Sequence, residues 1–533
     1  MGNKRIFIWS HLVFCLFVVI CSQKIWPMAI LTIAQLSFIP VLLRLVIVGK
    51  NWFTNYYYYF AIPAYLAVAI IQIFPSQYDG LFASIYLVFT MSVAIYGVDR
   101  FFQRGFTHFE EFAIDSGFIY LALGGFWYFA YYANLSTGFS PLITWLTAIH
   151  FHYSAFILPI FIGFIGRIHS SLLYRLCGSI LLISPMIVAI GITFSRLIEV
   201  ISVLLYIISL YSFLWLIYKG NFHHRLQKFC VFLSFATLCM TIIFSLLYAL
   251  GNMFANVYVT IDFMLIFHGI ANCVGFALIG LVGWGLDIPE AKFERPQFPS
   301  SSIRGKFDPG AFDEEKGLID QMNQFEPHIY DPTMVATLTD FYEQTNQYRL
   351  YAVVKWHRWF KPFAFVYKGW SRMIEQINLP FREKGVEMIG SIKNIPKEID
   401  GRDHVYAWVR KIGVETVFVA LYSTHTKDGR TYMNIALPLP FSSMHGILAV
   451  NQKGNQLQLT SRVEDKSMEE AGIYLAFANR MIRLPIEEEF IMKDEKDNGL
   501  QAIHRMWICK LPFLTINYQI KKKDETDGRV ADC

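Results

Sequence analysis

Residues 147–167 read TAIHFHYSAFILPIFIGFIGR, and residues 267–285 read FHGIANCVGFALIGLVGWG. Both stretches lie inside apolar runs that are long enough to cross a bilayer core of about 30 Å. A histidine in such a run has lost its hydration, so it needs a hydrogen-bonding partner or a function. The two stretches therefore predict membrane-spanning helices that carry polar groups within the bilayer.

Charge is distributed unevenly along the chain. Residues 1–285 contain 13 Lys and Arg and 7 Asp and Glu, whereas residues 286–533 contain 33 and 34. A soluble domain carries about 25% charged residues, and only the second part approaches that composition. The first part is expected to form a transmembrane domain, and the second is expected to lie in water.

Ten apolar stretches follow one another in the first part, each with the length of about 17–25 residues that a transmembrane helix requires. They cover residues 6–22, 27–48, 56–74, 81–98, 116–133, 141–165, 172–193, 198–218, 229–250 and 261–285. The sequence thus predicts a polytopic α-helical membrane bundle of about ten spans over residues 1–285.

The connections between the stretches indicate an orientation. Eleven Lys and Arg residues lie in or next to one alternating set of connections, and only Lys24 and Arg196 lie in the other. Because positive charge is enriched on the cytoplasmic side, we expect both termini and residues 286–533 to be cytoplasmic. The long connection 99–115, which mixes both charges with phenylalanines, is expected to form a short helix lying at the membrane interface.

The sequence predicts three regions C-terminal to the bundle. Residues 286–328 form a Pro-rich charged linker, and residues 329–382 form amphipathic helices. Within them, basic residues interleave with large aromatics over 355–370, as in a helix on an anionic membrane surface or in one packed on its own domain. Nucleic-acid binding ranks below both, because the bundle commits the chain to a membrane. Residues 383–533 form a cytoplasmic α+β domain.

Period-two patterning predicts the antiparallel sheet of this last domain, curved or partly barrel-like. The turn signals are Asp428-Gly429 and Gly454-Asn455, and one helix is expected over 466–481. The domain contains no phosphate loop, nucleophile elbow or zinc-ligand spacing. The sequence identifies no catalytic residue and no cofactor, and it leaves open whether the protein is an enzyme.

Five residues of the sixth and tenth spans form the candidate polar site. At about 1.5 Å per residue, four of them, His150, His152, His268 and Asn272, lie roughly 10–17 Å below the outer surface and could share one layer. His268 and Asn272 lie on one helix face because they are four residues apart. His150 and His152 are two residues apart and cannot both face His268 without local unwinding. The candidates are His150, His152, Tyr153, His268 and Asn272.

Three interpretations of this layer remain open. The histidines could fix helix packing through hydrogen bonds, or they could ligate a metal or haem, with His150 and His268 as the candidate ligands. They could also form a polar pocket or a proton relay for a lipid-soluble substrate. The pattern of residues does not choose among the three.

The two histidine segments, together with DPTMVATLTDFYEQTNQYRLYAVVKWHRWF at 331–360, resemble the YndJ-like membrane proteins of bacilli over the whole chain. The resemblance implies a multi-pass protein of the bacterial plasma membrane and supplies no activity. From the polar layer we expect a protein that handles a lipid or an isoprenoid and binds its head group at that layer. The alternatives are a His-ligated metal or haem oxidoreductase and a membrane scaffold or transporter. The oligomeric state is not indicated.

Overall fold

The computed structural model describes residues 4–24, 27–106, 108–291, 297–329, 332–463, 468, 470–477, 480–495 and 499–523. The chain divides into two compact units. One unit comprises residues 1–101 and 108–293, and the other comprises residues 102–107 and 294–533. Each unit is described by itself below.

Ten apolar helices lie in the described part of residues 1–291. Nine of them have 20 to 30 residues and are long enough to cross a membrane, while the first has 17. They are α1 (Lys4–Ile20), α2 (Pro27–Val46), α3 (Trp52–Ile73), α4 (Asp79–Arg104), α5 (Phe109–Tyr132), α6 (Pro141–Ile168), α7 (Leu172–Phe194), α8 (Arg196–Lys219), α9 (Arg225–Phe254) and α10 (Ile261–Leu286). The predicted helical membrane bundle is confirmed.

Three of these helices contain π-helical turns. The turns cover Ala34–Phe38 in α2, Tyr153–Ile157 in α6, and Met264–His268 and Ala271–Leu278 in α10. In α2 and α6 the π turn ends two residues before a proline, Pro40 or Pro159. Proline has no N–H to donate, so the regular hydrogen-bond pattern must change there.

Side chains from other helices donate hydrogen bonds to main-chain carbonyl groups in or beside these irregular turns. The Leu36 carbonyl, which would bond to residue 40 in a regular helix, accepts from Nδ1 of His11 at 3.0 Å. The Ile30 carbonyl accepts from the Tyr153 hydroxyl at 2.8 Å. Because no water reaches such groups in a bilayer, these bonds tie α1, α2 and α6 together.

A buried ion network joins α4, α5 and α6. Nε of Arg100 lies 2.6 Å from Oδ1 of Asp115, and Nε of Arg167 lies 2.7 Å from Oε1 of Glu111. Arg100 also donates to Oε2 of Glu111 at 3.1 Å. All four side chains are at most 7% exposed, so each charge depends on its partners.

This network makes the prediction of an interfacial helix within residues 99–115 wrong. The fourth helix continues to Arg104 and the fifth begins at Phe109, so no separate helix lies between them. The physical reason is charge pairing: Arg100, Glu111 and Asp115 neutralise one another and can be buried instead of lying on the membrane surface.

The described residues of the second unit form twelve antiparallel strands. Ten of them follow one another around a ring, β5-β4-β3-β2-β1-β12-β11-β10-β7-β6, which closes because β6 also pairs with β5. The remaining pair, β8 and β9, extends from the first half of β6. The strands are β1 (Tyr348–Trp356), β2 (Gly385–Ile395), β3 (Val405–Ile412), β4 (Glu415–Lys427), β5 (Arg430–Leu439), β6 (Ser442–Lys453), β7 (Gln456–Thr460), β8 (Gly472–Phe477), β9 (Arg480–Arg483), β10 (Ile486–Asp494), β11 (Leu500–Ile508) and β12 (Leu511–Lys522).

Two helices, α11 (Pro332–Glu343) and α12 (Lys361–Ile374), pack at opposite ends of this barrel. Asp340 of α11 accepts from Lys522 at 2.8 Å, at the end where β1 begins. At the other end, the Phe360 ring just before α12 lies 4.8 Å from that of Phe513. Large side chains fill the lumen between them, including Leu350 and Trp408.

The predicted antiparallel, barrel-like domain is confirmed, and so are both hairpin turns. Lys427 pairs with Arg430 across Asp428-Gly429, and both turn residues have positive φ, 51° and 77°. The helix predicted over 466–481 is wrong: residues 472–477 and 480–483 form β8 and β9. The parts of that stretch outside the described residues are not assigned. The apolar run GIYLAF is buried by pairing with β6, which local periodicity does not reveal.

Residues 297–329, most of the predicted linker 286–328, pack against the barrel. The Ser301 hydroxyl donates to Asp400 at 2.6 Å, and the Asn434 amide donates to the Pro299 carbonyl at 2.6 Å. Leu318 and Phe325 are each 1% exposed. Buried apolar side chains, which the Pro and charge content of the segment obscured, make this stretch part of the domain.

Candidate functional site

The five candidate residues lie at or near the π-helical turns of α6 and α10. His150 and His152 precede the turn at Tyr153–Ile157, His268 ends the first turn of α10, and Asn272 lies in the second. The structure places these residues in two different surroundings. His152 and Tyr153 are buried inside the bundle, whereas His150, His268 and Asn272 are at least partly exposed.

His152 points into the bundle and is fully buried. Its Nδ1 lies 2.7 Å from the Ala148 carbonyl, which only accepts, so Nδ1 carries the proton. Its Nε2 lies 2.9 Å from the Tyr86 hydroxyl and accepts from it. Both ring nitrogens are occupied, so His152 has no free position for a ligand in this arrangement.

His150 points in another direction. Its Nδ1 lies 2.7 Å from the Leu146 carbonyl of its own helix and carries the proton for the same reason. The side chain is exposed. Its Nε2 remains an acceptor with no hydrogen-bond partner among the described residues.

His268 and Asn272 meet one residue of α9, Thr241. Nδ1 of His268 lies 3.2 Å from the Thr241 carbonyl, and the Thr241 hydroxyl donates to Oδ1 of Asn272 at 2.9 Å. This leaves Nε2 of His268 as an acceptor and the Asn272 amide nitrogen as a donor, neither with a partner in the described part of the chain. Both side chains are half-buried.

The sixth and tenth helices approach each other at this level. The imidazoles of His150 and His268 are close enough to interact electrostatically. Below them, the Cys273 thiol approaches the Tyr153 hydroxyl, which donates to the Ile30 carbonyl. The structure thus places His150, His268 and Asn272 on the partly exposed surface where α6 and α10 meet, which we call the cleft, while Tyr153 is buried in the contact with α2.

The cleft offers hydrogen-bond acceptors from two neutral imidazoles and one amide donor. A metal ion would find two imidazole nitrogens there, and no group of three or more His, Cys, Asp or Glu suited to a metal occurs in the described ranges. Zinc sites use three or four protein ligands. The donor set therefore fits a hydrogen-bonding ligand better than a metal ion.

Sequence reasoning missed three residues of this region. Tyr86 and Thr241 are the partners of the histidines, and Gln35 is fully buried beside Tyr86. Neither polar atom of the Gln35 amide has a hydrogen bond within the described residues. A glutamine inside an apolar span was a visible signal for Gln35, whereas tyrosine and threonine are too common in spans to stand out.

We expect Tyr86→Phe to destabilise the helical unit. Removing the hydroxyl leaves the buried Nε2 of His152 without a donor, which costs about 1–3 kcal/mol. Thermal unfolding of the detergent-purified protein, followed by helical circular dichroism, measures the change. Tyr59→Phe is the matched control, because that side chain is 77% exposed. Equal unfolding midpoints for the two variants would contradict the role assigned to Tyr86.

Comparison with known proteins covers most of the chain. Residues 29–276 match the family model described as YndJ-like protein. The chain is 39% identical over 461 residues to the Bacillus subtilis (strain 168) protein called "Uncharacterized membrane protein YndJ", and the match covers 83% of this chain and 84% of that protein. No solved structure matches. On this evidence the chain belongs to the YndJ-like family of membrane proteins.

Proposed function

We propose that the membrane unit handles a lipid or an isoprenoid and binds its head group in the cleft between α6 and α10. The observation that supports this proposal is that Nε2 of His150 and Nε2 of His268 are acceptors with no hydrogen-bond partner among the described residues. Polar atoms open to hydrocarbon are costly unless a ligand satisfies them.

The hydrogen-bonding pattern limits the ligand. Two acceptors call for a donor such as a hydroxyl, and the amide nitrogen of Asn272 can donate to an oxygen of the same head group. A lipid alcohol or a protonated phosphate has both kinds of group. Each hydrogen bond is electrostatically stronger at low dielectric than in water.

The metal or haem alternative shares part of this geometry. Ligating histidines usually donate their second nitrogen to a carbonyl or carboxylate, as His150 and His268 do to carbonyls. The third and fourth groups that coordinate the metal would have to come from a bound molecule or from water. A metal ion is therefore treated as a possible outcome of the test below.

Native mass spectrometry of the full chain in detergent should detect a co-purifying lipid. The double variant His150→Leu/His268→Leu should retain at least about fivefold less of it, because both acceptors are gone. The fold should survive, because the carbonyls of Leu146 and Thr241 lie inside helices and keep their backbone partners.

The matched control is Thr237→Val, which alters a half-buried hydroxyl on α9 that donates to the Leu233 carbonyl of its own helix. It should retain the lipid. Elemental analysis runs in parallel. A stoichiometric metal lost only in the histidine variant would favour the oxidoreductase alternative, and a wild-type protein with neither lipid nor metal would favour a scaffold.

We further propose that both termini are cytoplasmic, in a bacterial plasma membrane. The support is the distribution of eleven Lys and Arg against two at alternating ends of the spans. Cys509 is exposed in the second unit, so its labelling shows on which side of the membrane that unit lies. In a Cys21→Ser background, a membrane-impermeant maleimide should label the protein only after permeabilisation. The signal should vanish in Cys509→Ser/Cys533→Ser, and labelling of intact cells would reject this orientation.

We also propose that α12 touches the inner leaflet. One stripe of its surface is apolar and strongly exposed, with spacings of three and four residues, and Lys361, Lys368 and Arg372 flank it. Such a helix binds anionic membranes through apolar burial and charge attraction. The stripe consists of Phe363, Val366, Trp370 and Met373, between 61% and 78% exposed, and Trp359, just before the helix, extends it and is 43% exposed.

An environment-sensitive dye tests this contact in nanodiscs. Placed at Trp370→Cys in a chain without Cys21, Cys509 and Cys533, the dye should be quenched by spin-labelled lipid, more strongly in anionic than in neutral bilayers. Salt should weaken the difference. The same dye at Asn455→Cys, in the turn between β6 and β7 at the opposite barrel end, should be quenched less. Equal quenching at both positions would remove the proposal.

A further inference from the structure

The barrel of the second unit encloses a cavity of about 60 Å³ in its lumen. Its walls come from β3, β4, β5, β6, β8, β10, β11 and β12, so it lies in the half of the barrel next to α12. A cavity needs about 10–15 Å³ of space open to a water-sized sphere for each water molecule that it holds. The space therefore accommodates roughly four to six non-hydrogen atoms.

A guanidinium group projects into this cavity from β3. Arg410 is 9% exposed, and the rings of Trp408 and Phe418 lie 4.5 and 4.3 Å from its central carbon. No carboxylate forms a salt bridge with it in the part of the chain that the structure describes, and its Nε has no hydrogen-bond acceptor there. A buried charge without a counter-ion is costly, so the group calls for an anion.

The acidic residue of the cavity has another partner. Oε2 of Glu488 lies 3.1 Å from Nε2 of His504, whose ring stacks on Phe490 with centroids 3.7 Å apart. The other oxygen lies against Gly446, where a Cβ would come within 2.5 Å of it. Glu488 is therefore held on the opposite wall by His504 and Gly446 and forms no salt bridge with Arg410.

Two phenols complete the polar part of the cavity. The Tyr518 hydroxyl lies beside Arg410 and has no hydrogen bond of good geometry to any described residue. Burial raises the pKa of Tyr422 to about 12 and also raises the pKa of Tyr518. Both groups stay protonated at neutral pH and can donate to an anion.

We propose that this cavity binds a short aliphatic monocarboxylate. The carboxylate accepts hydrogen bonds from Arg410 and the Tyr518 hydroxyl, and the alkyl part packs against the apolar walls, including Met444 and Ile473. A charge-assisted bond to a buried guanidinium is about twice as strong as a neutral one. The volume limits the ligand to about four carbon atoms.

The carboxylate could come from a free short-chain acid or from the head of a longer fatty acid. The cavity volume favours the short chain, because a tail of eight or more carbons would have to leave the barrel past α12 and residues 376–381. Butyrate is therefore the probe, and octanoate is the second arm of the experiment. Butyramide has the shape of butyrate without the charge and is the control ligand.

Isothermal titration calorimetry on the full chain in detergent tests the proposal. Butyrate should bind saturably, and butyramide should bind at least about tenfold more weakly. Arg410→Met keeps the apolar stem and should weaken butyrate binding at least about tenfold. It should leave the ligand-free unfolding midpoint unchanged or higher, because an unpaired buried charge has been removed.

Tyr518→Phe is a milder second variant and should weaken binding severalfold, and it remains informative if Arg410→Met fails to fold. Arg505→Met is the matched control, because Arg505 is exposed and lies outside the cavity. Absence of butyrate binding to the wild type, or equal affinities of wild type and Arg410→Met, would overturn the proposal. Tighter binding of octanoate than of butyrate would overturn the assignment to a short chain.

Discussion

The membrane unit depends on one constraint: a main-chain carbonyl inside a bilayer must find a donor within the protein. Pro40 cannot supply its N–H to Leu36, and the donor comes instead from His11 of another helix. The Ile30 carbonyl, beside the same π turn, takes its donor from Tyr153. Irregular turns thus become contacts between α1, α2 and α6, and these contacts help to set where the histidines point.

The same rule governs charged side chains. Glu111 accepts from both Arg100 and Arg167, and these partners lie 11 and 56 residues away in sequence. The local sequence pattern of these charges is typical of a surface segment, because it contains no information about a partner that is distant in sequence. This explains why the apolar spans were predictable from composition and length, while the surroundings of residues 99–115 were not.

The barrel shows a similar division. Asp428-Gly429 identifies its hairpin because the turn itself demands residues that tolerate positive φ. Residues 472–477 were misassigned because their strand character comes from pairing with β6, about 30 residues earlier. At the candidate site, arithmetic along the helix gave a common depth for His150 and His268. It could not give direction, because the partners that orient the rings of His152 and His268, Tyr86 and Thr241, lie on other helices.

The two proposed ligand sites have opposite hydrogen-bonding character. The membrane cleft presents imidazole acceptors and suits a head group that donates. The barrel cavity presents the donors of a guanidinium and two phenols, while its carboxylate, Glu488, is paired with His504, so the donors suit an anion that accepts. A neutral alcohol that donates to Nε2 of His150 would leave Arg410 without a counter-ion, and an ionised carboxylate would meet a lone pair at Nε2. The two sites therefore select different ligands, and occupancy of one does not imply occupancy of the other.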